Sequence, residues 1–118
     1  MDTACLRVIA VDDDEGDLEL LRRYLGMLPQ YRIELTALSR MEQTLELLSR
    51  KAADVVFLDY LLGKTTGLEV LRRLRAVGNN TPVVMLTGQG DEQLAVELMK
   101  AGATDYLSKA RLSLESLG

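Results

Sequence analysis

A chain of 118 residues with 47% hydrophobic side chains is a single domain's worth of protein, large enough to bury a core without disulfides or a structural metal. Fourteen Lys and Arg against eighteen Asp and Glu give a net charge of −4, which excludes the basic footprint of a general nucleic-acid binder or a polybasic membrane anchor. The absence of histidine removes Ser-His-Asp and Cys-His nucleophiles and makes zinc a poor fit, while the single Cys5 cannot form an internal disulfide.

Met1 to Ile9 has neither the apolar run nor the cleavage site of a signal peptide, and no apolar stretch approaches the roughly 20 residues that cross a bilayer, so the expectation is a cytoplasmic protein with no direct contact to membrane or nucleic acid. The first element is a strand over Leu6 to Val11. A helix follows over Asp17 to Leu28, where Leu18, Leu21, Leu25 and Leu28 share a face and Pro29 ends it. Arg32 to Thr36 alternates polar and apolar and reads as a strand near a sheet edge. Ser39 and Glu42 have capping-box spacing at the start of a second helix carrying Met41, Leu45 and Leu48.

Asp54 to Leu58 is apolar on both faces and therefore a central strand, ending at Asp59. Thr66 and Glu69 repeat the capping spacing before a third helix through Leu68, Leu71 and Leu74, closed at Gly78. Pro82 opens the next buried strand, Val83 to Leu86. Asp91 to Ala101 is a fourth helix with Leu94, Leu98 and Ala101 inward and Gly102 at its end. Thr104 to Ser108 is a second edge strand, and Leu112 to Leu117 leaves a turn or two of a last helix that is short and reads as truncated. Strands alternating with helices define an α/β domain around a parallel sheet, occupying residues 1–118 without repeats or linkers.

The reactive side chains then gather at one sheet edge. Asp12, Asp13 and Asp14 follow the first strand, Asp59 the third, Thr87 the fourth and Lys109 the fifth. The carboxyl ends of parallel strands are where ligands bind in such sheets. Carboxylates brought together repel unless a cation joins them, and an all-oxygen set suits Mg²⁺ or Mn²⁺. With an ammonium from Lys109 and a hydroxyl from Thr87, the set favours an aspartyl phosphate.

At Val11-Asp12-Asp13-Asp14, Leu58-Asp59 with Gly67 eight residues later, Leu86-Thr87-Gly88 and Asp105-Tyr106-Leu107-Ser108-Lys109, the sequence resembles the receiver domains of two-component signalling, the response-regulator family. The resemblance implies a doubly wound, flavodoxin-like five-stranded parallel sheet of order 2-1-3-4-5 flanked by helices. It implies that Asp59 accepts a phosphoryl group from a phosphohistidine on a histidine kinase or histidine phosphotransfer domain. Asp12, Asp13, Asp59 and the backbone carbonyl of Leu61 would hold Mg²⁺ or Mn²⁺, and Lys109 would pair with the phosphoryl oxygens. Thr87 and Tyr106 would form a switch pair that alters the surface of the fourth helix, fifth strand and fifth helix, read by a downstream effector or a linked output domain.

Taken singly these residues have plain readings. An acidic run is an ordinary helix N-terminus, so Asp14, Glu15 and Asp17 are assigned to the first helix, one of them as its cap. Arg72, Arg73 and Arg75, with Arg22 and Arg23, are assigned to solvated helix faces, and Gly88-Gln89-Gly90 to a loop lacking the Walker lysine pattern. Gly88 is expected to keep space clear beside the phosphoryl group, and Asp59 to be open and accessible. The loop after the acceptor reads Leu62-Gly63-Lys64-Thr65-Thr66-Gly67 and lacks the family's usual proline; nonpolar Leu61 would shield the group from water that Gln89 could orient. After Lys109 the family's proline is replaced by Ala110, where a cis bond would cost about 2.5–4 kcal/mol, so that loop is expected to be built differently. The chain turns over no separate substrate and is not expected to be an enzyme. A phosphohydrolase using Asp59 would need an acid two residues on, where Leu61 stands. A degenerate receiver acting only in protein interaction or dimerisation is the alternative.

Overall fold

The computed structural model describes residues 4–62, 65–88 and 92–110. Five parallel strands form the main sheet: β1 (Ala4–Val11), β2 (Tyr31–Leu38), β3 (Val55–Asp59), β6 (Val83–Thr87) and β7 (Asp105–Ser108). Between them lie α1 (Glu15–Gly26), α2 (Met41–Arg50), α3 (Gly67–Ala76) and α4 (Glu92–Lys100), and a two-stranded antiparallel ribbon, β4 (Leu61–Leu62) with β5 (Thr65–Thr66). The sheet order is β2-β1-β3-β6-β7, which is the expected 2-1-3-4-5 once the ribbon is set apart. The anticipated last helix over Leu112 to Leu117, the residues Gly63, Lys64, Gln89 and Gly90, and the predicted helix start at Asp91 lie outside the described residues.

Side-chain alternation on the inner strands divides the core into two layers. Val8 and Ala10 of β1 and Phe57 of β3 pack with Leu21 and Leu25 of α1 on one face. Ile9, Val11, Val56 and Leu58 pack with Leu48 of α2, Leu71 and Leu74 of α3 and Leu98 of α4 on the other. Two-sided burial is why β1, β3 and β6 carry unbroken apolar runs, while β2 alternates at one edge and β7, at the other, is only partly covered and does not show the expected alternation.

The helix starts are set by local side chains. Asp14 caps α1, its carboxylate accepting from the N–H groups of Gly16 (2.8 Å) and Asp17 (3.1 Å). Thr66 caps α3 through the Glu69 N–H at 3.3 Å, as its spacing predicts. At α2 the expected Ser39–Glu42 pair is replaced: Gln43 Oε1 accepts from the N–H groups of Ser39 and Arg40, each at 3.2 Å, because the helix begins two residues later than Ser39.

Arg75 is not a solvated arginine. Its guanidinium donates to the carbonyls of Asn79 (2.9 Å), Thr81 (2.9 Å) and Gly102 (2.8 and 3.2 Å), tying the end of α3 to the loops entering β6 and β7. Gly102 makes this possible: its φ is +107°, and a Cβ there would stand 2.9 Å from the arginine Nε. No cis peptide occurs among the described residues, Lys109 to Ala110 included. No described helix is long and apolar enough to cross a membrane.

Candidate functional site

Strand register brings the sequence-predicted residues together. Val11 is paired with Leu38 and Leu58, Asp59 with Leu86, and Thr87 with Ser108, so all five strands of the main sheet end at nearly one level. Asp12 is the first residue past β1, Asp59 and Thr87 are the last of β3 and β6, and Lys109 is the first past β7. This edge includes the β1/β3 position, where the strand order reverses.

The acidic run divides by direction. Asp12 is 1% exposed; its N–H donates to the Leu38 carbonyl at 2.9 Å and its Oδ1 accepts from the Asp14 N–H at 2.9 Å. Asp13 is exposed, and Asp14 is spent on the helix cap. One carboxylate oxygen from each of Asp12, Asp13 and Asp59 lies within 4.8 Å of the other two. Asp59 is 4% exposed, contrary to the expectation of an open acceptor: Lys109 Nζ covers its Oδ1 at 3.0 Å, and the Leu61 N–H approaches the same oxygen at 3.4 Å. The carboxylate lies in a depression of about 510 Å³ bordered by Tyr60, Leu61, Thr87, Gly88, Leu94 and Lys109.

Lys109 is the electrostatic centre. Its Nζ stands 3.2 Å from Asp12 Oδ2, 3.0 Å from Asp59 Oδ1 and 2.5 Å from Asp17 Oδ2. Burial alone would lower its pKa, but hydrogen bonds to Asp17 and Asp59 and the charges of Asp12 and Asp59 outweigh that and raise it, so the ammonium stays charged. Burial pushes the Asp12 carboxyl up to about 6; the Asp14 N–H bond opposes this, the Asp59 charge adds to it, and Lys109 opposes it. Asp12 Oδ2 meets Lys109 as an ion pair and has no hydrogen-bond partner among the described residues. One ammonium among four carboxylates leaves an excess of negative charge, and the donors are all oxygen. A hard divalent cation fits that set, and Mg²⁺ or Mn²⁺ suits it better than a metal that prefers nitrogen or sulfur.

The other expected residues divide. Thr87 Oγ1 is buried at the same edge and has no hydrogen-bond partner among the described residues, leaving a hydroxyl free to meet an incoming oxygen. Leu61 is 66% exposed on the ribbon, opposite Thr66, with its peptide N–H directed at Asp59. Tyr106 is not in the site. It is 40% exposed and borders an open groove of about 700 Å³ with Ala95, Val96, Met99 and Lys100 of α4. A Cβ at Gly88 meets no described atom within 4 Å.

Gly67 has a firmer role. A Cβ there would lie 2.5 Å from the Asp59 carbonyl oxygen and 2.7 Å from Met85 Sδ, and the Gly67 N–H donates to the Tyr60 carbonyl at 2.6 Å. Helix α3 therefore starts hard against the acceptor's backbone. The sequence reading missed Asp17 as a partner of Lys109. An acid in the first turn of a helix is so well explained by the dipole that only its position beside the fifth strand's end could have revealed it.

Over residues 8–116 the sequence matches the response regulator receiver domain family. It is 38% identical over 112 residues to the response regulator MprA of Mycobacterium leprae, covering 95% of this chain and 47% of that protein, so the chain spans about half the length of the curated relatives it matches. Its fold is similar to that of the phosphorylated cyanobacterial phytochrome response regulator RcpA, with a TM-score of 0.79 at 22% identity over 97% of this chain and 88% of the other. It is also similar to the Mn²⁺-bound form of response regulator Rcp1, with a TM-score of 0.77 at 21% identity over 94% and 89% of the two chains.

Proposed function

The chain belongs to the response regulator receiver family, and from that premise we propose that it is a phosphorelay receiver whose acceptor is Asp59. An Asp59 carboxylate oxygen attacks the phosphorus of a partner's phosphohistidine. A P–O bond forms as the P–N bond breaks, and the electron pair returns to the imidazole nitrogen of the donor. The donor is a histidine kinase or histidine phosphotransfer domain, in keeping with a chain that has no histidine of its own.

The observation that carries the proposal is the buried Asp59 carboxylate, with a lysine ammonium 3.0 Å away and Asp12 and Asp13 grouped beside it. Asp12, Asp13, Asp59 and the Leu61 carbonyl are the groups that would hold Mg²⁺ or Mn²⁺, which when bound would supply positive charge for the phosphoryl oxygens. Lys109 keeps its ammonium at the acceptor oxygen and meets the phosphoryl group there, and the Thr87 hydroxyl takes a phosphoryl oxygen as its missing partner.

That bond draws Thr87 toward the acceptor and makes room for Tyr106 to turn in from its groove. The surface of α4, β7 and the segment after Lys109 changes with it, a local charge event biasing a two-state element. A downstream effector or a linked output domain reads the new surface. The chain acts in the cytoplasm and turns over no separate substrate. Titration with beryllofluoride and Mg²⁺, followed by NMR, tests acceptor and switch together. Thr87 and Tyr106 resonances shift in the wild type and stay fixed in Asp59→Asn; shifts persisting in that variant would overturn the assignment.

A further inference from the structure

Resting on that phosphoacceptor reading, we infer that Asp17 is a positioning residue for Lys109, holding its ammonium at the acceptor from the α1 side. Three carboxylates surround the Lys109 Nζ, and an ammonium has three N–H donors. The nearest is Asp17, at 2.5 Å, across 92 residues of sequence. Two of the three, Asp12 and Asp59, also belong to the carboxylate group that fits a cation, and Asp59 is the atom set to be modified. Asp17 lies outside that group. Among the described residues it is the one partner that neither a bound cation nor a phosphoryl group takes from Lys109.

The geometry of Asp17 suits a tether. Its backbone N–H is bonded to the Asp14 cap, which fixes the first turn of α1, and its side chain is only partly exposed. A lysine side chain has four rotatable bonds and loses much rotamer freedom when held in one place. A charge-assisted bond from a fixed helix turn restrains it before the phosphoryl group arrives. Lys109 is thereby held in a single position as the other two carboxylates change charge and partner.

The test measures the rate of phosphoryl gain by intact mass against acetyl phosphate concentration with Mg²⁺, for wild type, Asp17→Ala, Asp17→Asn and Glu19→Ala. Glu19 lies on the same helix and pairs only with Arg22 and Arg23 among the described residues. Asp17→Ala is expected to lower the maximum rate about tenfold, with the half-saturating acetyl phosphate concentration little changed. Asp17→Asn, which keeps an acceptor oxygen, recovers part of the rate, and Glu19→Ala matches wild type. In ¹⁵N NMR, the slowly exchanging Lys109 ammonium signal, identified by its absence in Lys109→Met, is lost in Asp17→Ala.

Wild-type rates in Asp17→Ala overturn the inference, whether or not the lysine signal persists. If the wild type itself takes no phosphoryl group, the phosphoacceptor reading fails, and the lysine signal alone decides whether Asp17 holds Lys109. Urea midpoints equal to wild type exclude a folding defect as the source of a slow rate.

Discussion

Replacing Gly67 with alanine sets a small side chain against the backbone of the acceptor. The new Cβ would stand 2.5 Å from the Asp59 carbonyl oxygen, 3.2 Å from the Asp59 carbonyl carbon and 2.7 Å from Met85 Sδ. Carbon–oxygen contacts in proteins settle near roughly 3.3 Å, so about 0.8 Å of overlap must be relieved by moving β3 or α3. Met85 is fully buried and has little room to yield. Alanine gains up to about 1 kcal/mol of helix propensity over glycine, less at a helix start. Overpacking of a tight site costs about 1–3 kcal/mol, and the loss is expected to dominate. At roughly 3–6 °C per kcal/mol for a domain of this size, a loss of about 1–3 kcal/mol in Gly67→Ala lowers Tm by roughly 3–18 °C. Far-UV circular dichroism during urea and thermal unfolding is the assay, since the chain has no tryptophan. Gly26→Ala, where a Cβ meets nothing within 4 Å, is the control and is expected to be neutral or slightly stabilising. A Gly67→Ala variant as stable as wild type would refute the close approach.

Thr66→Ala removes the cap of α3 and is expected to cost about 1 kcal/mol, recovered by Thr66→Ser, in the same urea assay. Arg75→Lys keeps the charge but cannot reach three carbonyls with a planar fork, and a loss of about 1–3 kcal/mol is expected; an unchanged midpoint would remove the clamp from the account. The Asp12 carboxyl, raised by burial from 3.8 to about 6, binds its proton more tightly in the folded than in the unfolded chain. Its stabilising contribution is therefore complete below about pH 4 and lost as pH rises through 6, on the order of 2–3 kcal/mol. Metal-free Asp12→Asn is accordingly more stable than wild type at pH 7.5, and the gap falls to roughly half at pH 5 and closes only near pH 4. Mg²⁺ affinity measured by calorimetry weakens below pH 6 as the proton competes for the same oxygen; a pH-independent affinity would contradict the assignment.

Which strands are inner, and the convergence of Asp12, Asp59, Thr87 and Lys109, were legible in the sequence because burial on both faces leaves an unbroken apolar run; the strand order came only with the family resemblance. Val8 to Val11, Val55 to Leu58 and Val83 to Leu86 could be nothing but inner strands, and whatever follows them must meet at one edge. The Thr66 cap was equally legible, since its spacing to Glu69 is local. What depended on three-dimensional approach was hidden. The ribbon of Leu61–Leu62 with Thr65–Thr66 is too short to show alternation, and Arg75 looks like any surface arginine until three carbonyls surround it. Asp59 was expected to be open; it is buried, with the ammonium of Lys109, 50 residues later in the chain, over its carboxylate. Asp17 was assigned to the start of the first helix by the same local logic that expected one of Asp14, Glu15 and Asp17 to cap it; the cap is Asp14.

The central claim is that Asp59 takes up a phosphoryl group with the help of a divalent cation. Intact mass spectrometry of the purified chain, incubated with Mg²⁺ and acetyl phosphate, tests it beside Asp59→Asn and a sample stripped of metal by a chelator. The account predicts a gain of one phosphoryl group in the wild type and none in either control. A wild type that stays unmodified, or an Asp59→Asn variant that gains the same mass, would contradict it.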